Sequence, residues 1–403
     1  MTRSPHASLL AGFCLLLALG SVSCSDVTAQ AIVSLAAGRG GGGGELPGNG
    51  GTLGSGGSVG GGEAGVGNAG SNQGGSPGQG GAGGGGAATS GGSAGTAGIL
   101  NCPSNVVGWA ATGPGTSGGD GGKVVRATTA SELKTYATDA APLIVEIDRT
   151  IVLTEQIRPK SNKTFIGVGS AGALAGGGLY LIDAENVIIR NLAFMKPERG
   201  DDAITIQSSR YVWVDHCDLW TSLTEKPLDF EYDGLIDINH GSDFVTLSWN
   251  HFHDHENVSV IGHSNSASAI AEDTGHLSVT LHHNFFREVA YDTPRVRFGK
   301  VHIFNNYFLN ISSNAIISQM GADVYVENNA FANVALPLVT HYVETGADGN
   351  AAWIENQIMN SGDPMIGTMT TWQPATAYSY QASLDSSGSV PFVVPQCAGV
   401  GKL

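Results

Sequence analysis

The sequence predicts an all-β chain wound as a parallel β-helix, and three observations point there. One short pattern recurs: an alternating β-branched run, a residue that is usually asparagine, then an aromatic two positions on. Its copies read VIIRNLAF, VWVDHCDLW, VTLSWNHF, VTLHHNFF, VHIFNNYF and VYVENNAF. Taking the asparagine slot as Asn191, Cys217, Asn250, Asn284, Asn306 and Asn329, with a weaker echo at Asn356, gives steps of 26, 33, 34, 22 and 23 residues. Finally, more than half of the 60 glycines crowd into the first quarter of the chain, leaving residues 101–403 with nearly all the aromatics and charges as one domain. Period-2 alternation of Val, Ile, Tyr and Phe signals strand. A repeat of that length, with one strand set per copy, signals a solenoid.

Stacked coils turn equivalent positions into ladders. The Val and Ile positions fill the interior, and Asn250, Asn284, Asn306 and Asn329 are expected to hydrogen-bond along a turn, because buried amides need partners. Cys217 occupies an asparagine slot, which predicts a buried free thiol. The longer steps of 33 and 34 predict loops leaving one side of the stack, where solenoids usually bind. Ahead of the coils, Ser131 is placed to cap a helix over SELKTYAT, with Leu133, Tyr136 and Ala137 facing inward. Such a helix would cover the open N-terminal end of the core and its strand edges.

Residues 1–29 read as an export segment. Arg3 supplies a positive start, Leu9 to Leu19 form an apolar run too short to span a membrane, and small residues follow. Cleavage before Cys24, which would carry a lipid, competes with ordinary processing after Ala29. Residues 30–100 are so poor in large apolar side chains that nothing offsets the entropy of ordering them, so a flexible tether is expected. Of five cysteines, Cys102 and Cys397 stand at the two ends of the domain, where an exported protein could staple them.

The net charge of −16 argues against a nucleic-acid or anionic-membrane partner, and leaves an acidic polymer in need of a mediating cation. No G-x-S-x-G elbow, P-loop or dinucleotide fingerprint occurs in a fitting context.

Several uncommon words occur together, in order: SNKTFIGVGS, DDAITI, VWVDHC, DGLIDINHGSDFVTLSWNHFHDH and PRVRFGKVHIFNNYF. In these blocks, from Lys123 to Asn329, the sequence resembles the pectate lyases of polysaccharide lyase family 1. The resemblance implies a single-stranded right-handed parallel β-helix. It also implies an exported monomer that cleaves pectate with Ca2+ as cofactor, by β-elimination of α-1,4-linked galacturonan. Removing the C5 proton beside a uronate carboxylate builds an enolate-like anion, so positive charge is needed there. By motif position the family's calcium ligands fall on Asp202, Asp233 and Asp237, all oxygen donors as calcium requires. Arg297 falls on the carboxylate-binding arginine of the family's R-x-P-x-x-R word, with Arg295 of matching strand parity beside it in the groove.

Three positions depart from that pattern. Asp292 stands where the proton-abstracting arginine belongs, while Asn257 and Asn239 replace two lysines. Asp292 is thus the candidate base, and Asn257 a candidate substrate contact. Two readings stay open: an active lyase, or a catalytically impaired β-helix that binds acidic polysaccharide. Hydrolysis by paired carboxylates would need acidic words that are absent. His251, His253 and His255 alternate, which places all three on one strand face, as a zinc site would require. The resembled family keeps His253 and His255 without a transition metal, so a structural role is expected for them.

Overall fold

Alternation is obeyed coil after coil. Val212 and Val214, Val245 and Leu247, Val279 and Leu281, and Val301 and Ile303 all point inward and are fully buried. The computed structural model describes residues 102–197, 201–223, 233–341 and 346–403. The expected export segment, tether and Cys24 lie outside them. Every pairing between the named strands is parallel, and the chain is a parallel β-solenoid of about nine turns.

Each full coil carries three strands. A first face is one sheet of ten strands, from Lys123–Ala127 to Asn350–Ile354. A second face includes Asp218–Trp220, His251–Asn257 and Phe285–Tyr291. A third includes Leu179–Ile182, Ile204–Gln207, Ile236–Asn239, Val260–Ile261 and Arg295–Arg297. The second and third faces join through the long strand Tyr307–Gln319, which pairs with both. On the second face Phe252, Phe286, Phe308 and Phe331 stack inside the core, with centroids 5.0, 4.8 and 4.6 Å apart and planes within 11°.

The corner between the first and second faces carries the asparagine ladder. Asn250 donates from both its backbone N–H and its side-chain Nδ2 to Asn284 Oδ1, each at 3.0 Å. The same double bond runs from Asn284 to Asn306, from Asn306 to Asn329 and from Asn329 to Asn356. Cys217 opens the row, its N–H donating to Asn250 Oδ1 at 2.9 Å, and its thiol is free and buried.

Asn191 is not a ladder member. The strand register pairs Ala193 with Asp218, which puts Leu192 in the slot and makes the first step 25 residues. Asn191 instead sits one residue earlier, at the position taken by His216, Trp249, His283, Asn305, Asn328 and Glu355 in other coils. All seven have φ between 48° and 54°. A left-handed residue at this place turns the chain sharply although most of these side chains disfavour that backbone, and at Trp249, His283, Asn305 and Asn328 the two hydrogen bonds of the following asparagine hold it there.

Two further expectations are corrected, and one element is new. The helix cap is Thr129, not Ser131: α1 spans Ala130–Thr138, and the Thr129 hydroxyl accepts from Glu132 N while Glu132 reaches back to Thr128. Thr129 wins because Glu132 stands three residues after it, completing a capping box. The two long insertions do not leave one side. One precedes the strand Ile236–Asn239, and the other, carrying α2 (Ala267–Asp273), follows Val260–Ile261. Slot-to-slot steps cannot say where within a coil the extra residues fall. A C-terminal helix, α3 (Val390–Cys397), was not anticipated because Pro391 and Pro395 mask its pattern. It packs outside the ladder corner on Trp249, Phe285 and Ala330, and Cys397 is disulfide-bonded to Cys102 with Cα atoms 5.4 Å apart.

Candidate active site

The third face brings the predicted acids together from neighbouring coils. Asp202 precedes the strand Ile204–Gln207. Asp233 precedes Ile236–Asn239, in which Asp237 pairs in register with Thr205. Asp202 Oδ1 accepts from Gly234 N at 2.8 Å and its Oδ2 from the Thr205 hydroxyl at 2.7 Å. Asp237 Oδ1 accepts from Val260 N at 2.8 Å. Gly234 lies between them: a β-carbon there would stand 2.8 Å from Asp237 Oδ1 and 2.9 Å from Asp202 Oδ1. Only glycine leaves the two carboxylates room to face each other.

Such crowding has an electrostatic cost. Burial pushes the Asp202 carboxyl up to about 6, and the charges of Asp233 and Asp201 add to it against hydrogen bonds from Thr205 and Gly234. Burial also holds Asp237 well above the usual carboxylate range, with repulsion from Asp202, Asp233 and Asp292. Asp233 is raised by its partial burial and by Asp201. Among the described residues no lysine or arginine forms an ion pair with Asp202 or Asp237. Buried carboxylates converging without a paired lysine or arginine among the described residues are what a hard, oxygen-preferring divalent ion compensates, so the donor set fits calcium.

The basic side chains come from two coils further on. Arg297 is buried, donating from Nη1 to Gly262 O at 2.6 Å and from Nε to Asn265 Oδ1 at 2.9 Å. Burial lowers its pKa, and Arg295 adds to that, against the charges of Asp292, Asp237 and Asp273. Asp292, with φ 56° and 3% exposure, is clamped by Arg295, whose Nε lies 3.2 and 3.1 Å from its two carboxylate oxygens. Burial raises the Asp292 carboxyl, opposed by Arg295 and Arg297. The negative charge introduced at the arginine position is thus met locally by a guanidinium. Asn257 and Asn239 each carry a buried Oδ1 with no hydrogen-bond donor among the described residues.

Sequence reasoning missed several participants. Asp201 adds a fourth acid, visible only as the doublet in DDAITI. Gly234 spaces the carboxylates. Asn265, on the insertion before α2, orients Arg297. His255 accepts from the Thr221 hydroxyl through Nδ1, at 2.6 Å, and donates from Nε2 to Asp233 O at 2.7 Å, fixing that backbone. The three alternating histidines do not share a face. Asp254, with φ 51°, kinks the strand between His253 and His255, so His255 turns toward the acids while His251 and His253 stay together outside.

A family model described as pectate lyase matches residues 80–403. The chain belongs to the pectate lyase family. It is accordingly a polysaccharide lyase. Its relatives include a pectate trisaccharide-lyase of Bacillus licheniformis, 37% identical over 308 residues that span 73% of this chain and 86% of the relative. Pectate lyase plyB of Emericella nidulans is 35% identical over 301 residues, 74% of this chain and 89% of the relative. Among solved structures, pectate lyase Bsp165PelA of Bacillus sp. N165, in complex with trigalacturonate, superposes with a TM-score of 0.68 at 30% identity, covering 74% of this chain and 99% of that one.

Proposed function

We propose that this pectate lyase family member cleaves pectate and related uronate polymers by calcium-assisted β-elimination. The observation that carries the reading is the convergence of Asp202 and Asp237 across Gly234, beside a face that also presents Arg297. Asp202, Asp233 and Asp237 would hold the ion. Calcium, when bound, supplies positive charge against which a uronate carboxylate tolerates loss of the neighbouring C5 proton. Arg297, oriented by Gly262 and Asn265, binds that carboxylate as a preorganised donor.

Asp292 accepts the C5 proton. Burial raises its carboxyl toward the range where a base is effective, and Arg295 fixes its orientation. As the C5–H electrons form the C4=C5 double bond, the C4–O bond breaks and the glycosidic oxygen departs, taking a proton from water. Arg295 and Asn257 are the further contacts proposed for the polymer. The acidic polymer is the partner; export by the segment 1–29 and display by the tether 30–100, with a lipid on Cys24, would bring the enzyme to it.

One observation favours the second reading, binding without turnover: the Asp292 carboxylate is nearly enclosed and already paired with Arg295. Incubating the purified protein with polygalacturonate and calcium from neutral to alkaline pH, while following the ultraviolet absorbance of the unsaturated product, decides between them. Absorbance that rises and is abolished by chelation supports the lyase. A flat trace with calorimetric binding intact supports the binder.

A further inference from the structure

We propose that Asp218, His251 and His253, on the second face and apart from the acid cluster, form a binding site for a divalent transition-metal ion such as zinc. Asp218 and His251 open neighbouring strands and are paired in register, and His253 follows two residues on, so one side of two adjacent coils carries all three. Asp218 Oδ1 is 3.1 Å from His251 Nδ1 and 3.0 Å from His253 Nε2, and the three potential ligand atoms lie within 4.8 Å of one another. Ligands at about 2.0 Å around a tetrahedral ion stand about 3.3 Å apart, so two of the three separations nearly match before any ion enters.

The imidazoles are held for the task. The His251 and His253 rings stack 4.2 Å apart, and His251 rests on Phe285 at 5.0 Å. On the far side of His253, Nδ1–H donates to Asp254 Oδ2 at 2.7 Å, which leaves the Nε2 lone pair as the metal ligand on Asp218's side. Carboxylate–histidine–metal relays use this arrangement. The side chains remain 29%, 17% and 14% exposed, so an ion can enter and keep water as a fourth ligand. Two nitrogens and one carboxylate suit zinc; calcium, which takes six to eight oxygens, finds too few here. A bound ion would tie the coil of Asp218 to the coil of His251, next to the C-terminal segment at Gly399, whose β-carbon position lies 3.3 Å from His251 Cβ.

The test is a zinc titration of the chelator-treated full chain by calorimetry, in calcium at saturating concentration, with thermal unfolding followed in parallel. One equivalent should bind and raise Tm, and cobalt at the same site should give the visible absorption of a four-coordinate ion. Asp218→Asn combined with His253→Gln should abolish the binding. Asp254→Asn, at a half-buried side chain, should weaken it about 10- to 100-fold without touching a ligand. The site is refuted if the folded wild-type chain takes up no zinc, if the double variant binds as wild type does, or if calcium displaces the zinc, which would put the ion in the acid cluster. None of these outcomes depends on lyase turnover.

Discussion

In the proposed mechanism Asp292 is the residue on which turnover hinges, because it carries the opposite charge from the arginine of the resembled family's usual word. Replacing it by asparagine keeps the shape and removes the base, so product formation should fall by about 10²- to 10⁴-fold, read as initial rates on polygalacturonate. Asp292→Arg should raise calcium-dependent turnover, more so with Asn257→Lys. If the folded double variant binds pectate yet forms no product, position 292 is not the base position. Asp202 makes a pH prediction. Its folded carboxyl titrates near 6, above the ordinary value of 3.8, so between those values the folded calcium-free chain holds more protons than the unfolded one. Stability from this group is therefore present at low pH and lost as pH rises through about 6. Calcium should restore it, so the calcium-induced increase in Tm should be large at alkaline pH and small near pH 5, as measured by calorimetry.

At the scale of the element, the ladder and the phenylalanine stack hold each coil to the next. Asn306→Ala removes the acceptor of two buried donors on Asn284 and should cost about 2–5 kcal/mol in denaturant unfolding. Phe308→Ala, between Phe286 and Phe331, should cost about 3–5 kcal/mol. Both elements were legible in the sequence, since alternation and the Asn-x-aromatic word report directly on what is buried. Asn191 was misread because letters show an asparagine without showing its φ, and the corner position and the ladder position are adjacent. The insertions were found and their attachment misplaced for a similar reason: length survives in a sequence, and place within a coil does not. Histidine parity failed at Asp254, where one left-handed residue resets the face.

For the whole molecule, the acids of the site were legible through the words around them, DDAITI and DGLID, yet their mutual geometry was not. Gly234 meets Asp202 only because two coils stack in register, and the Arg295 clamp on Asp292, three residues apart, depends on the left-handed turn at Asp292 that letters do not show. The Cys102–Cys397 disulfide spans 295 residues and pins the start of the domain to its end. Reducing it should cost on the order of 2–4 kcal/mol, seen as a lower unfolding midpoint under reductant that Cys102→Ser reproduces and reductant no longer shifts. The amide row has one more consequence, which is that it has a direction. From Cys217 to Asn329 each backbone N–H of the row donates to the side-chain oxygen of its C-terminal neighbour, while the asparagine Nδ2 groups also donate back to carbonyls of the preceding coil, so a nascent chain shows waiting backbone donors to the turn that has not yet been made. Winding from the N-terminal end is then rewarded step by step, and Asn356, which has an oxygen to give and no further asparagine to call for, marks where the staircase stops.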